Sequence, residues 1–574
     1  MRPGSTQDRI ARLRARIAGL KTADELSPRP CCKPRKSASA LKSPIRCKAH
    51  PVSPSTARIY RAPPSEVRYR PRKPEDSVIH RVIAENLPTF LEQAEQASGG
   101  QRLPTFVIDE LRELVGCGDY SQGLALFRCD LCNSALALPF SCKSRVCPSC
   151  SAKRMTSLSA HLTDEVLPFV PVRQWVLSFP VWLRYKIAYD HDLYRKIIGL
   201  FDRHVCTFYR HQAEQAGIQN AHTGSVHIQQ LAGGSANANP HSHSIYLDGV
   251  FYKAEREQGS ALRFRPAEPP ADHDIGFIVS KLRADVLQLL RDRGLLDQAP
   301  DDFVEQQPLL SACAQASIQN LQLLGPQAAK PVIRLGADPA AKRSYAEVRG
   351  RLHIHYDGFD LHAEQRIHGN DRRQLERTLC YCLRGPLSEQ RLSILDDGMV
   401  QVSVKKTWSD GTRALLLTPH NFLARLAALI PRPYKNLVTY RGLLAPNHKL
   451  RSLVVKYGRK QPSTSASDGA GAATYQDQDL PATLPESVSP HLLDRLETGS
   501  RQLRPAGHGQ GDLFAHLSGP DADDDQQPPR RSNHTWADLM QRAFEIDVLK
   551  CNRPGCRGRL KFIACITEPT EIDA

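Results

Sequence analysis

The sequence predicts an α+β fold preceded by a small metal-stabilised domain. Three observations lead to this prediction. Short apolar runs that end at proline or glycine, such as residues 174–180, are typical of buried strands. Segments such as residues 77–95 repeat apolar residues at helical spacing. Two Cys-x-x-Cys pairs stand within residues 129–150, and pairs of this kind are typical zinc ligands.

The elements follow one another in a definite order. Helices are predicted over 77–95, 183–212, 372–383 and 421–430, and residues 266–340 are predicted to be helical with polar loops. Strands are predicted over 174–180, 226–231, 243–250 and 353–361, with a hairpin formed by 400–405 and 413–417. These elements divide the chain into a basic arm (1–68), a helical segment with a zinc-binding domain (69–155), a central α+β domain (156–460), a low-complexity linker (461–531) and a small C-terminal unit (532–574).

The charge of the chain indicates an anionic partner. The 574 residues include 77 Lys and Arg against 60 Asp and Glu, for a net charge of +17. Residues 1–76 hold 19 basic and 6 acidic residues, and the proline-rich part of this segment predicts disorder. The segment is either a nucleic-acid-binding arm or an extension without a role. The sequence contains no run of 18 apolar residues, so no membrane span is predicted, and we expect a cytoplasmic protein.

The cysteines predict a structural zinc site. Four thiolates complete a tetrahedral zinc shell, and the likeliest set is Cys129, Cys132, Cys147 and Cys150. Two further thiols, Cys117 and Cys142, could replace one of the four or help to hold a second ion. A disulfide framework is the alternative, and the lack of a secretory signal argues against it. The pair Cys551 and Cys556 supplies only half a site.

Basic residues accompany these cysteines. They are Arg128, Lys143, Arg145, Lys153 and Arg154. Cationic side chains on a small metal-stabilised scaffold are suited to contact the phosphates of DNA. The alternative is a solvated surface whose charge serves solubility alone.

Two histidine pairs have the spacing of metal ligands on a strand. Residues i and i+2 of a strand point to one face, so His241 and His243 can reach one divalent ion. A histidine pair at a strand end can equally be a hydrogen-bonded polar pair. By spacing alone, His353 and His355 are an equal candidate.

The surroundings of the first pair distinguish it. The sequence Asn-Pro-His-Ser-His at 239–243, followed by Tyr-Leu-Asp-Gly-Val-Phe at 246–251, resembles the HUH motif of rolling-circle transposases of the IS91 and common-region insertion-sequence family. Further blocks are similar to the same family. They lie at 140–155 (its zinc-binding domain), 172–180, 385–392, 429–433 and 440–447. The resemblance extends over residues 69–456 and the tail at 536–563.

The resemblance implies a fold and a chemistry. The fold is an HUH nuclease-type antiparallel sheet with flanking helices. Tyr381 is then the nucleophile toward single-stranded DNA, while His241 and His243 bind catalytic Mg²⁺ or Mn²⁺, with Gln229 or His362 as the third ligand. A structural Zn²⁺ and a bacterial cytoplasmic location are also implied. The oligomeric state stays open.

The sequence departs from the family pattern at two places. Ser242 replaces the hydrophobic residue between the two histidines, and we expect it to point away from the metal. Arg377 stands one helical turn before Tyr381, where two-tyrosine members carry another tyrosine, so the chain resembles the single-tyrosine branch. Two other interpretations remain: a plasmid replication initiator or relaxase with the same chemistry, and an inactive zinc-dependent DNA-binding protein.

Overall fold

The computed structural model describes residues 73–256, 259–296, 306–337, 348–459 and 535–567. The predicted arm (1–68) and linker (461–531) lie outside the described residues. The helices are α1 (Val78–Ala97), α2 (Thr105–Val115), α3 (Pro148–His161), α4 (Val181–Tyr189), α5 (His191–Gln215), α6 (Asp272–Asp292), α7 (Pro308–Gln319), α8 (Arg372–Leu383), α9 (Pro419–Ala427), α10 (Arg451–Lys456) and α11 (Trp536–Phe544).

The strands complete the described elements. They are β1 (Leu124–Cys129), β2 (Ala135–Pro139), β3 (Val172–Ser178), β4 (Gly224–Ala232), β5 (Ala238–Leu247), β6 (Gly249–Arg256), β7 (Gly259–Pro266), β8 (Ile333–Leu335), β9 (Val348–Gly350), β10 (His353–Tyr356), β11 (Phe359–His362), β12 (Arg366–Ile367), β13 (Leu392–Ile394), β14 (Val400–Ser403), β15 (Ala414–Leu417), β16 (Val438–Gly442) and β17 (Leu560–Ile566). The α+β prediction is confirmed.

An antiparallel sheet forms the centre of the molecule. Its strands run in the order β16-β4-β5-β3-β11-β10-β9, and β12 pairs with β3. Because side chains alternate along a strand, the sheet has two apolar faces. On one face Trp175 and Tyr246 pack with α5 and α6, and on the other Ile245 packs with Leu379 of α8. The sheet therefore lies between two helical layers, and α8 covers the face opposite α5.

Two predicted elements differ from the structure because of local turn chemistry. The predicted strand 353–361 is a hairpin, since Asp357 and Gly358 adopt positive φ angles of 47° and 82°. Two consecutive positive φ angles in an Asp-Gly turn are typical of tight hairpins. The predicted helix 183–212 consists of α4 and α5. It is interrupted at Asp190, whose carboxylate accepts a hydrogen bond of 2.8 Å from the Leu193 N–H and caps α5.

Asp248 holds the end of β5 through a buried ionic network. Its carboxylate accepts hydrogen bonds from Arg173 Nε at 2.9 Å, Arg366 Nε at 2.7 Å and the Tyr209 hydroxyl at 3.0 Å. A buried carboxylate requires such partners, because the loss of one donor leaves part of its negative charge without either a partner or solvent. The Tyr-Leu-Asp-Gly sequence after the histidines thus has a structural role in joining β3, β5 and β12.

The C-terminal segment adds a strand to the sheet of the zinc-binding region. Strand β17 pairs with β1, giving a three-stranded sheet in the order β17-β1-β2.

A second small sheet, β13-β14-β15-β8, shares an apolar core with α1, α2, α7 and α9. This core also includes Cys147 and Cys150, so the zinc-binding region and the segment after α8 fold around common side chains. Among the described residues, no helix combines the length and the hydropathy that a membrane span requires.

Candidate active site and cysteine clusters

His241 and His243 lie side by side on β5. Their ring centroids are 5.0 Å apart, and both rings face the layer that contains α8. Burial lowers the pKa of His241 to about 4. Burial, and then the neighbouring His241 and Arg384, lower the pKa of His243 to about 3. Both imidazoles are therefore neutral at pH 7, which is the form that binds a metal.

The Nδ1 atom of each ring already has a hydrogen-bond partner. His241 Nδ1 lies 2.7 Å from the Asn239 carbonyl oxygen, and His243 Nδ1 lies 2.9 Å from the Gln174 side-chain amide. The carbonyl acceptor at Nδ1 leaves the Nε2 lone pair of His241 free for a metal, and His243 Nε2 is free in the same way when the Gln174 amide presents its oxygen to Nδ1. The pair fits a divalent ion that accepts two Nε2 ligands and keeps positions open for oxygen ligands.

Tyr381 lies against this pair. Its ring meets the His243 ring edge-on, with centroids 5.7 Å apart, and 42% of the residue is exposed. Two cations flank the same ring. The Arg384 guanidinium carbon is 4.6 Å from the ring centroid and Lys405 Nζ is 4.7 Å from it. A solvent-accessible phenol, two neutral imidazoles and two cations thus meet at one point, which suits a phosphate group.

Strand β4 fixes the position of α8, the helix that carries Tyr381 and is called the tyrosine helix below. Gln230 pairs with His241 in the sheet, and its side-chain amide donates hydrogen bonds to the carbonyls of Tyr381 at 3.1 Å and Cys382 at 2.5 Å. No sequence motif indicates Gln174, Gln230, Arg384 or Lys405 as residues of this site. Gln230 can be recognised only from the pairing of β4 with β5, because that register puts its side chain on the same face of the sheet as His241.

The structure does not place the two candidate third ligands beside the histidine pair. Gln229 is opposite Ser242 in the β4–β5 register, so it points to the other face of the sheet. His362 shares the face of His243, but Val176 of β3 stands between them, and His362 lies 3.6 Å from Glu364. Both predictions are corrected by strand register, which sequence spacing alone does not give.

The competing pair, His353 and His355, is occupied elsewhere. His353 Nε2 lies 2.7 Å and His355 Nδ1 lies 3.5 Å from the carboxylate of Asp360. Strand β10, which carries both, is separated from β5 by β11 and β3. Tyr381 therefore contacts the first pair and not the second.

Ser242 points away from the histidines, as expected. It is fully buried, and its hydroxyl lies 3.1 Å from the Ser244 hydroxyl. Ser244 is 2.7 Å from His227 Nδ1, and His227 Nε2 is 3.2 Å from the Asp202 carboxylate. The serine is thus part of a hydrogen-bonded polar network beneath α5.

The cysteines form two clusters, and neither is the predicted set. Cys117, Cys142, Cys147 and Cys150 bring their sulfur atoms within 4.8 Å of one another, and so do Cys129, Cys132, Cys551 and Cys556. The predicted quartet is corrected, because its two Cys-x-x-Cys pairs belong to different clusters. Cys117 and Cys142, named as possible replacements, complete the first cluster. All described cysteines are free of disulfides.

The first cluster has the dimensions of a zinc site. Three of its sulfur–sulfur distances are 3.6, 3.7 and 3.7 Å. Zinc–sulfur bonds of 2.3 Å in a tetrahedron place the sulfur atoms about 3.8 Å apart. Cys147 caps α3 and Cys150 lies in its first turn, so an ion bound here would fix the start of α3. That helix packs against α8, where Cys380 Sγ lies 3.1 Å from the Ser159 hydroxyl.

The five basic residues predicted to bind DNA fall into two places. Lys143, Arg145, Lys153 and Arg154 surround the first cluster, where Arg154 donates to the Lys143 carbonyl at 2.8 Å. Arg128 lies on β1 beside the second cluster. Arg145 also donates to the Lys435 carbonyl at 2.9 Å, which joins this surface to the loop before β16.

Two models of known protein families match parts of the chain. A family model described as "Transposase zinc-binding domain" matches residues 83–179, which include the first cluster. A second, described as "Putative transposase", matches residues 224–451, which include His241, His243 and Tyr381. No curated protein and no solved structure matches the chain. Together the two family models span more than half of the sequence, and the chain belongs to the IS91-type transposases with an N-terminal zinc-binding domain.

Proposed function

We propose that this transposase nicks and rejoins single-stranded DNA through a phosphotyrosine intermediate on Tyr381, as rolling-circle transposition requires. One observation carries the proposal: the exposed Tyr381 ring lies 5.7 Å from His243, between two cations. Family membership supplies the substrate, DNA. The same chemistry would serve a replication initiator or relaxase, and the match to transposase models favours transposition.

The reaction exchanges one phosphodiester for another. The Tyr381 phenolic oxygen attacks the phosphorus and loses its proton to water. The bond from phosphorus to the 3′ oxygen breaks, and that oxygen leaves as a hydroxyl after it gains a proton. The tyrosine keeps the 5′ phosphate as an ester, which conserves the bond energy. A 3′ hydroxyl on another strand then attacks the ester, restores a phosphodiester and releases Tyr381.

The residues around Tyr381 complement the charge of this reaction. Arg384 and Lys405 are positioned to neutralise the phosphate oxygens as negative charge grows in the transition state. His241 and His243, neutral and oriented through Nδ1, would hold Mg²⁺ or Mn²⁺. When bound, such an ion polarises the scissile phosphate. Arg377, exposed one turn before Tyr381, leaves α8 with one tyrosine.

The zinc-binding domain would guide DNA to the site. We assign its structural zinc to Cys117, Cys142, Cys147 and Cys150. The basic residues around this cluster adjoin the segment after Tyr381, because Gly385 packs onto α3 and Arg145. Single-stranded DNA that follows Lys143, Lys153 and Arg145 would therefore reach Arg384 and Tyr381 along a continuous cationic surface.

A covalent-adduct assay tests the proposal. The purified chain is incubated with labelled single-stranded DNA and Mg²⁺ or Mn²⁺, and the adduct is resolved under denaturing conditions. We expect a 5′-phosphotyrosine adduct with the native chain and none with Tyr381→Phe, which keeps the ring and its packing. His241→Ala and His243→Ala should abolish nicking through loss of the metal.

Matched variants make the result specific. Tyr440→Phe, at a tyrosine packed into the core beside β4, should leave the adduct unchanged. His353→Ala should leave nicking largely intact. Adduct from Tyr381→Phe but not from Tyr440→Phe would overturn the choice of nucleophile. No adduct from the native chain, with DNA binding retained, would favour the inactive DNA-binding protein instead.

A further inference from the structure

The second cysteine cluster joins two distant parts of the chain. Cys129 ends β1 and Cys132 lies in the turn after it, whereas Cys551 and Cys556 come from the C-terminal segment. Cys129 and Cys556 are 427 residues apart in sequence, yet their sulfur atoms are 3.7 Å apart. Cys132 and Cys551, 419 residues apart, are separated by 3.5 Å. These distances match the edges of a zinc tetrahedron, about 3.8 Å, and exceed the roughly 2.05 Å of a disulfide bond.

The backbone around these sulfur atoms is arranged for thiolates. The Arg553 N–H donates to Cys551 Sγ at 3.4 Å, and the Gly558 N–H donates to Cys556 Sγ at 3.3 Å. The Ser134 hydroxyl lies 3.0 Å from Cys132 Sγ. Hydrogen bonds of this kind surround metal ligands, because they stabilise charge on the ligand atom and fix its direction.

Gly558 gives a second, independent indication. A Cβ at this position would lie 2.4 Å from Cys129 Sγ, so only glycine lets the C-terminal loop approach the sulfur so closely. The loop is also held in register, since the Arg559 N–H donates to the Asp130 carboxylate at 2.9 Å. The Asp130 N–H in turn donates to the Arg559 carbonyl at 3.0 Å. The turn after β1 and the C-terminal loop thus both pack closely around the four sulfur atoms.

We propose that Cys129, Cys132, Cys551 and Cys556 bind a second structural zinc ion. Each thiol gives up its proton when the ion binds, so the site is a tetrathiolate. The ion fastens the C-terminal segment to the zinc-binding domain beside the β1–β17 pairing. Cys551 and Cys556 lie outside the residues matched as a zinc-binding domain, 83–179, whereas Cys129 and Cys132 lie within them. The inference does not depend on the nicking activity, because its evidence is the geometry of the cluster alone.

Metal content of the full-length chain tests the site. We expect two zinc ions per folded chain by native mass spectrometry, and one after Cys551→Ser with Cys556→Ser. The matched control is Cys565→Ser, an exposed cysteine on β17 outside both clusters, which should keep two. A Cys551→Ser, Cys556→Ser chain that keeps the native zinc content would overturn the proposal.

A measurement on the native chain covers the case in which that variant does not fold. Thiol alkylation followed by peptide mapping should modify Cys565 at once. Cys551 and Cys556 should be protected until a zinc chelator is added, and should then react. Equal protection with and without chelator would show that burial and not metal shields them, and would overturn the site. Loss of zinc from the first cluster alone would leave this pattern at Cys551 and Cys556 unchanged.

Discussion

Gly385 packs directly onto Ser151, so that a Cβ at position 385 would lie 2.2 Å from the Ser151 hydroxyl oxygen. Ser151 belongs to α3, the helix that starts at the first cysteine cluster, and Gly385 follows the tyrosine helix by two residues. This contact joins the zinc-binding domain to the segment that follows the proposed nucleophile, Tyr381. It implies that the position of Tyr381 depends on how α3 is held at its zinc end.

Gly385→Ala should therefore separate α3 from the segment after α8. The added methyl group overpacks the contact, and we expect a loss of about 1–3 kcal/mol in the free energy of unfolding. Because Arg384 is the adjacent residue, adduct formation should fall more than DNA binding. Denaturant unfolding and the adduct assay check this. Gly398→Ala is the control, since a Cβ there meets open space, although its positive φ of 79° adds some strain. Equal activity of Gly385→Ala and the native chain would contradict the coupling.

The residue types of the site can be predicted from the sequence, but the pairings among these residues cannot. The histidine spacing and the α8 boundaries at 372–383 follow from local patterns, whereas Tyr381 follows from the family resemblance, and the structure brings these residues together. The cysteine sets do not follow from local patterns, because Cys551 and Cys556 reach β1 across more than 400 residues. Gln230 and Gln174 depend on strand register, which a single sequence does not specify.

Arg384→Ala and Lys405→Ala should each slow adduct formation by about 10²-fold. The reason is that each removes a preorganised positive charge from the proposed phosphate position, where charge develops in the transition state. The measurement is the single-turnover rate at saturating DNA. Arg373→Ala is the matched control, since Arg373 is an exposed residue at the opposite end of the same helix. Rates that match this control would place the phosphate elsewhere.

Arg542 connects the C-terminal segment to the tyrosine helix. From α11 it donates to the Glu376 carboxylate through Nε at 2.7 Å and Nη2 at 3.0 Å, and Nη2 also reaches Asp164 at 3.0 Å. Since these pairs are partly exposed, Arg542→Ala should cost only about 1 kcal/mol in stability. Its signature should be a slower adduct rate with unchanged DNA affinity. Arg559→Ala, which removes only a pair with Asp547, should have the native rate.

The basic arm should contribute to the salt dependence of DNA binding. Residues 1–76 hold 19 of the 77 Lys and Arg residues with only 6 acidic residues. Each phosphate neutralised adds about 0.7 to the slope of log affinity against log salt for single strands. Deletion of residues 1–68 should flatten this slope, measured by fluorescence anisotropy across salt concentrations. Deletion of 461–531, which carries no positive surplus, should not. An unchanged slope after the first deletion would assign the arm no part in binding.

Tyr434 should stack on a base of the bound strand. The residue is 96% exposed at a positive φ of 57°, in the loop between α9 and β16. The loop is anchored where Arg145 donates to the Lys435 carbonyl at 2.9 Å, and where the Gln229 N–H donates to the Leu437 carbonyl at 2.8 Å. Gln229 is the chain neighbour of Gln230, so this loop is tied both to the strand that contacts the tyrosine helix and, through Arg145, to the basic surface.

An exposed aromatic ring beside cations is typical of sequence-tolerant binding of single strands, because every base offers a face for stacking. Tyr434→Ala should weaken single-stranded DNA binding by about 1–3 kcal/mol, while Tyr434→Phe keeps the ring and the affinity. The adduct rate at saturating DNA should not change, since the ring is outside the reacting group. Tyr356→Ala, at another exposed tyrosine on the β10–β11 hairpin, is the control and should bind normally. If Tyr434→Ala binds as tightly as that control, the strand does not pass over this loop.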